Sequence, residues 1–156
     1  MYKYVKISFL FLISFMLDRW TKYLVLQGIL ESCMINNWLN VCVAYNRGIA
    51  WGIGSDSFFN NGFVLPVIIF CVLAYFTWYM YQCIHDTMLI TACALILSGG
   101  VSNLCDRISY GRVIDFIQLH YGDWYFPVFN VADVSITVGA LLLCMHIIWS
   151  PKACKL

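Results

Sequence analysis

Residues 63–84, FVLPVIIFCVLAYFTWYMYQCI, contain no charged side chain. A run of this length matches the ~20 residues that carry a helix across a bilayer core. Within lipid a backbone must satisfy its own hydrogen bonds, so a helix is the fold this segment can take there. Residues 87–105 form a second charge-free run, and residues 134–150 a third that stops before Pro151. Near the N-terminus residues 7–17 are apolar, Asp18, Arg19 and Lys22 interrupt, and residues 23–26 resume. Composition agrees: 62% of the 156 residues are hydrophobic and 11% charged, against roughly 45–50% and about 25% in soluble domains. A chain this short cannot bury that much apolar surface in a single water-facing core. The net charge of +1 comes from scattered Lys and Arg, which argues against a nucleic-acid partner.

The pattern predicts an α-helical membrane protein, a single domain over residues 1–156. Its four transmembrane helices are expected at about 5–26, 63–84, 87–105 and 131–150. The basic start and short apolar run of the first segment also suit a cleavable signal peptide. No small-x-small cleavage site follows, and DRWTKYLVL extends the run, so an uncleaved first helix is expected. Four spans put both termini on one side. Lys3, Lys6, Lys152 and Lys155 make that side the cytoplasm. Residues 27–62 and 106–130 then lie outside. In the first of these, Leu39, Val41, Val43 and Tyr45 alternate with Asn40, Cys42, Ala44 and Asn46, a strand-like period of two. RVIDFIQL, residues 112–119, is a second short strand.

The few polar residues of the apolar segments gather at one depth. Asp18 and Lys22 stand at the outer end of helix 1, Asn103 and Arg107 at that of helix 3. Asp115 lies in the loop that follows, and Asn130 and Asp133 open helix 4. Ionisable groups at such depth face an interior or a wet cavity and mark function. Each also has a plainer account. Asp18 and Lys22 are spaced for an i,i+4 ion pair, Arg107 could snorkel to the headgroups, and Asn130 with Asp133 suits a helix start. Two aspartates in a low-dielectric site suggest an aspartyl protease pair sharing one proton, although the spacing of 115 and 133 alone does not show that they meet. Eight cysteines contain no C-x-x-C and no zinc pattern. They read as small hydrophobes.

Five pieces in order carry a resemblance. DRWTK (18–22) resembles D-x-x-[ST]-K and NRGIAW (46–51) resembles N-x-G-x-A-[FW]. GGVSNLCDR (99–107) resembles G-G-x-x-G-N-x-x-D-R. VIDF (113–116) and FNVAD (129–133) are similar to V-x-D-[FY] and F-N-x-A-D. On a four-helix frame these resemble the lipoprotein signal peptidases, signal peptidase II. Ser102 departs from the motif, which has Gly there. The resemblance implies an aspartyl endopeptidase without metal or cofactor in the bacterial cytoplasmic (inner) membrane. It would cut a prolipoprotein just before its diacylglyceryl-modified cysteine, near the outer face. It implies Asp115 and Asp133 as catalytic residues. Asn46, Asn103, Arg107 and Asn130 would line the substrate site, with Asp18, Lys22, Gly48 and Ala132 nearby. It further implies a small β-sheet cradle and flap on the periplasmic side, membrane lipid as surroundings, and a monomer.

Two other readings compete. A quinone-linked thiol oxidoreductase would use Cys33, Cys42 or Cys105, yet lacks the C-x-x-C such chemistry uses. A proton-coupled transporter would use Asp18 and Asp133 as relays and would have no need of Asn46 or Asn130.

Overall fold

The computed structural model describes residues 2–29, 33–47, 64–82 and 85–149. Gly48, most of the expected flap, Cys83, Cys154 and the C-terminal lysines lie outside the described residues. The described elements are α1 (Tyr2–Leu26), β1 (Cys33–Asn36), β2 (Leu39–Asn46), α2 (Val64–Gln82), α3 (Thr87–Tyr110), β3 (Val113–Tyr121), β4 (Trp124–Tyr125) and α4 (Val131–Trp149). Three of the helices, α2, α3 and α4, are long and apolar enough to cross a membrane. Helix α1 matches them in length but carries Lys3, Lys6, Asp18, Arg19 and Lys22.

The arrangement is inside-out relative to a soluble bundle. Helix α1 exposes Phe9, Met16 and Trp20 while Asp18 and Lys22 are fully buried. Helix α3 is the central post, with buried residues from Leu89 to Asp106, and α1, α2 and α4 all pack on it. Close packing of α3 and α4 depends on Gly99. A Cβ there would lie 2.3 Å from the Ala132 carbonyl oxygen and 2.8 Å from Ile136, so the crossing is closed to a side chain. Small residues make such approaches possible where no hydrophobic force drives helices together.

Helix α3 starts on Asp86, whose carboxylate accepts the Leu89 N–H at 3.0 Å, an N-cap. It runs five residues past the expected end at Cys105. Asp106 and Arg107 mark no exit, because Asp106 is fully buried and ion-paired within the bundle. The stop is Gly111, left-handed at φ 67°, whose N–H bonds the Arg107 carbonyl, a conformation that favours glycine.

The strands form one antiparallel sheet in the order β1-β2-β3-β4. Strand β2 appears where alternation predicts it, with one irregularity. Val41 pairs with Ile117 but Ala44 with Asp115, so β2 holds one extra residue. Such a bulge re-aims the side chains beyond it. Val41 is buried against Val25 and Phe116, while Tyr45 turns outward beneath Arg112, 3.7 Å from its ring centroid. Beyond β4 the chain returns along β3. Phe116 and Ile117 donate to the Phe129 carbonyl, and Phe129 donates back to Ile117. This return delivers residue 130 beside residues 114 and 115.

Candidate active site

Helix α4 begins at Asn130 with a reciprocal cap. The Asn130 side-chain oxygen accepts the Asp133 N–H at 2.9 Å, and the Asp133 carboxylate accepts the Asn130 N–H at 3.2 Å. Two donors left unpaired by the helix start are thereby satisfied. The capping account of Asp133 therefore holds, but it describes only one carboxylate oxygen. The other accepts the Asn103 amide from α3 at 2.9 Å.

The Asn130 amide nitrogen reaches away from its helix. It donates to Asp115 at 2.6 Å, and lies 3.2 Å from the Asn103 side-chain oxygen and 3.3 Å from the Ile114 carbonyl. One asparagine thus spans both aspartates. Asp115 is 3% exposed. Burial pushes its carboxyl up to about 6, and the charge of Asp133 adds to this. Hydrogen bonds from Asn130 and Asn46 and the charge of Lys22 act in the other direction. The two acids, 18 positions apart by number, are close enough to interact because β3 and the start of α4 are laced together at Phe129.

Behind the asparagines lies a charge lattice. Lys22 is 1% exposed and its ammonium contacts Asp18 at 2.8 Å, Asp106 at 2.7 Å and the Asn103 side-chain oxygen at 2.9 Å. Those contacts use all three of its protons. Asp18 also accepts from Ser102 at 2.6 Å and from the Ala132 N–H at 2.7 Å. Asp106 pairs with Arg19 as well. Two acids and two bases balance, which a buried cluster requires. Arg107 sits at the rim, its guanidinium 3.4 Å from the Asn103 carbonyl and within electrostatic reach of Asp133, Asp115 and Asp106.

Among the described residues, no group of three or more His, Cys, Asp or Glu side chains could hold a metal ion. Cys42 and Cys105 are free and half-buried. Burial pushes the Cys42 thiol up, opposite to the thiolate a redox site needs.

The family model described as signal peptidase (SPase) II matches residues 10–149. The chain belongs to the signal peptidase II family. The lipoprotein signal peptidase of Polynucleobacter necessarius subsp. necessarius (strain STIR1) is 35% identical over 90% of this chain and 86% of its own length. That of Dichelobacter nodosus (strain VCS1703A) is 36% identical over 90% and 94%. A solved structure described as a bacterial membrane enzyme, obtained by the in meso method at 2.3 Å resolution, matches with TM-score 0.75 and 29% identity, over 96% of this chain and 92% of that one. This signal peptidase II chain is thus a peptidase and a multi-pass membrane protein.

Of the residues expected at the site of this peptidase, Asn46, Asn103, Arg107, Asp115, Asn130 and Asp133 converge. Asp18, Lys22 and Ala132 lie one layer behind, joined to one another and to Asn103. Gly48 is outside the described residues. Ser102 fits without strain as an interior residue of α3, and its hydroxyl gives Asp18 a donor. Sequence reading passed over Arg19 and Asp106 as site supports, although Asp106 stands in the matched GGVSNLCDR. It also passed over a hydroxyl node one turn deeper, where Ser14 meets Ser135 at 2.7 Å and Ser98 at 3.0 Å. Single serines in apolar runs carry no spacing signal that would have exposed it.

Proposed function

We propose that this signal peptidase II removes the signal peptide from bacterial prolipoproteins by aspartyl chemistry, with Asp115 and Asp133 as the catalytic pair. The observation that carries the reading is the single asparagine, Asn130, hydrogen-bonded to both carboxyl groups. Two nearby carboxyls cannot both ionise, so they share one proton. The ionised member takes a proton from water as its oxygen attacks the scissile carbonyl carbon. The protonated member gives its proton to the carbonyl oxygen. The tetrahedral intermediate then collapses: one hydroxyl returns its proton to the acid that had donated it, the C–N bond breaks, and the amine leaves with the proton that water gave up. Asn46 and Arg107 stand beside the pair as substrate contacts. A guanidinium is suited to extended backbone carbonyls because it presents a planar fork of donors.

The cut falls just before a diacylglyceryl-modified cysteine, whose acyl chains reach the site from lipid. Helix α1 forms a fourth span with its charges turned inward onto α3, in a single domain with both termini cytoplasmic and the site near the outer face of the inner membrane. The site needs no residue from a second copy, in keeping with a monomer, and the chemistry calls for no metal or cofactor.

The test is incubation of the purified protein, in lipid, with a diacylated prolipoprotein and with its unmodified precursor. Release of the signal peptide from the diacylated form alone is expected, unchanged by a chelator. Equal cleavage of both forms would remove the lipid from the recognition. Loss of cleavage on chelation would remove the metal-free mechanism.

A further inference from the structure

We propose that Lys22 is a positioning residue that acts through Asn103: it fixes the Asn103 amide so that Asp133 is held as the ionised member of the pair and the shared proton rests on Asp115. The inference rests on the assignment of Asp115 and Asp133 as the catalytic pair.

The geometry begins with what an ammonium can do. Lys22 has three donors and no acceptor, so the Asn103 atom 2.9 Å away must be its oxygen. That choice sends the Asn103 NH2 toward Asp133 at 2.9 Å. The amide cannot turn over without setting NH2 against NH3+. The same Asn103 oxygen accepts from Asn130 at 3.2 Å, which holds it from a second side. Asp133 therefore meets an N–H donor on each oxygen, Asn103 on one and Asn130 on the other. Donors on both oxygens favour the carboxylate over the acid. The positive charge of Lys22 also polarises the amide between them, and polarised donors strengthen along a chain.

Asp115 has a different setting. It too accepts from amides, those of Asn130 and Asn46, but it lies on β3, is nearly fully buried, and meets no cation at ion-pair distance among the described residues. Asp115 is 3% exposed whereas Asp133 is only half-buried, and the more deeply buried carboxyl is the one expected to keep the proton. Besides the two aspartates on β3 and α4, the charged groups facing the pair come from two elements: Asp18, Arg19 and Lys22 of α1, and Asp106 and Arg107 of α3. Asp18 and Asp106 are occupied by Lys22, Arg19, Ser102 and backbone donors. Lys22 is therefore a buried cation with a hydrogen-bonded route to Asp133 through the Asn103 side chain. It does not reach substrate, since all its donors are in use.

The measurement is the pH dependence of cleavage by Lys22→Met, which keeps the chain length and removes the charge. The acid limb of kcat reports protonation of the ionised member. It should move upward by roughly one pH unit, with about a tenfold loss of kcat below the limb and an unchanged KM. Removing one cation leaves Asp18 and Asp106 sharing Arg19, so a neutral companion, Lys22→Met with Asp106→Asn, serves if the single variant does not fold. An unmoved limb would overturn the proposal. A raised KM at constant kcat would also overturn it, because Lys22 would then be a substrate contact. Failure of both variants to fold would assign Lys22 to the scaffold alone and overturn it too. Should Asp115→Asn and Asp133→Asn retain cleavage, the underlying pair assignment fails instead, which separates the two ideas.

Discussion

Asp133 caps its helix and faces a second acid at the same time, and the two roles separate under substitution. The simple expectation is that Asn caps almost as well as Asp. The geometry modifies it. Both Asp133 oxygens accept N–H donors, so the NH2 of an introduced Asn must face one of them, at a cost of about 1 kcal/mol. Asp115→Asn differs in sign. Its folded carboxyl lies near 6, above the ordinary 3.8. Its contribution to stability is full below 3.8 and is lost as pH rises through about 6. At neutral pH this buried acid is therefore a burden, whether it holds its proton or gives it up, and Asp115→Asn is expected to raise the unfolding free energy by on the order of 1 kcal/mol while abolishing cleavage. Thermal unfolding in detergent at pH 7 and pH 4 checks this: the gain should shrink at the lower pH, and a destabilised variant at pH 7 would contradict it. Arg107→Lys is expected to lower kcat/KM at least about tenfold, since an ammonium does not reproduce the guanidinium fork. Near-normal cleavage by that variant would leave Arg107 a headgroup anchor.

At the scale of elements, α3 and α4 act as one unit through the Gly99 crossing. Gly99→Val would force Ala132 away, and with it the Asp18 bond to the Ala132 N–H and the cap at Asn130. A loss of roughly 1–3 kcal/mol is expected, with a fall in kcat, read by unfolding temperature and cleavage rate together. A variant with native stability and rate would show that the crossing has slack. Ladders and spans were the legible part of the sequence, since charge-free runs and a period of two are direct statements about environment. The end of α3 was not. Asp106 and Arg107 look like an exit to water, but Asp106 is matched by Lys22 and Arg19 from another helix, and long-range neutralisation leaves no local trace. The bulge in β2 was hidden for a similar reason: an extra residue shows only against its partner strand.

Across the whole molecule, apolar side chains face outward and a polar core runs down the centre, from the Ser14–Ser98–Ser135 node through the Asp18–Lys22–Asp106 lattice to the asparagines and the two acids. The ring of polar residues at one depth was visible in the sequence, because charges in apolar runs are conspicuous. Its division into an inner lattice and an outer reactive layer was not, because that depends on which helix faces share a neighbour. Asp18 and Lys22 read as site residues from the chain alone, yet their atoms are spent on one another and on Ser102, Asn103, Asp106 and the Ala132 N–H. The measurement that tests the account most directly is cleavage of a diacylated prolipoprotein by Asp115→Asn, Asp133→Asn and the double variant, each confirmed folded in the membrane. Each single change is expected to remove turnover while uncut substrate still binds, and the double change to cost no more than either alone, because groups that act as a unit are non-additive. Substantial turnover by either single variant would contradict the paired-aspartate mechanism.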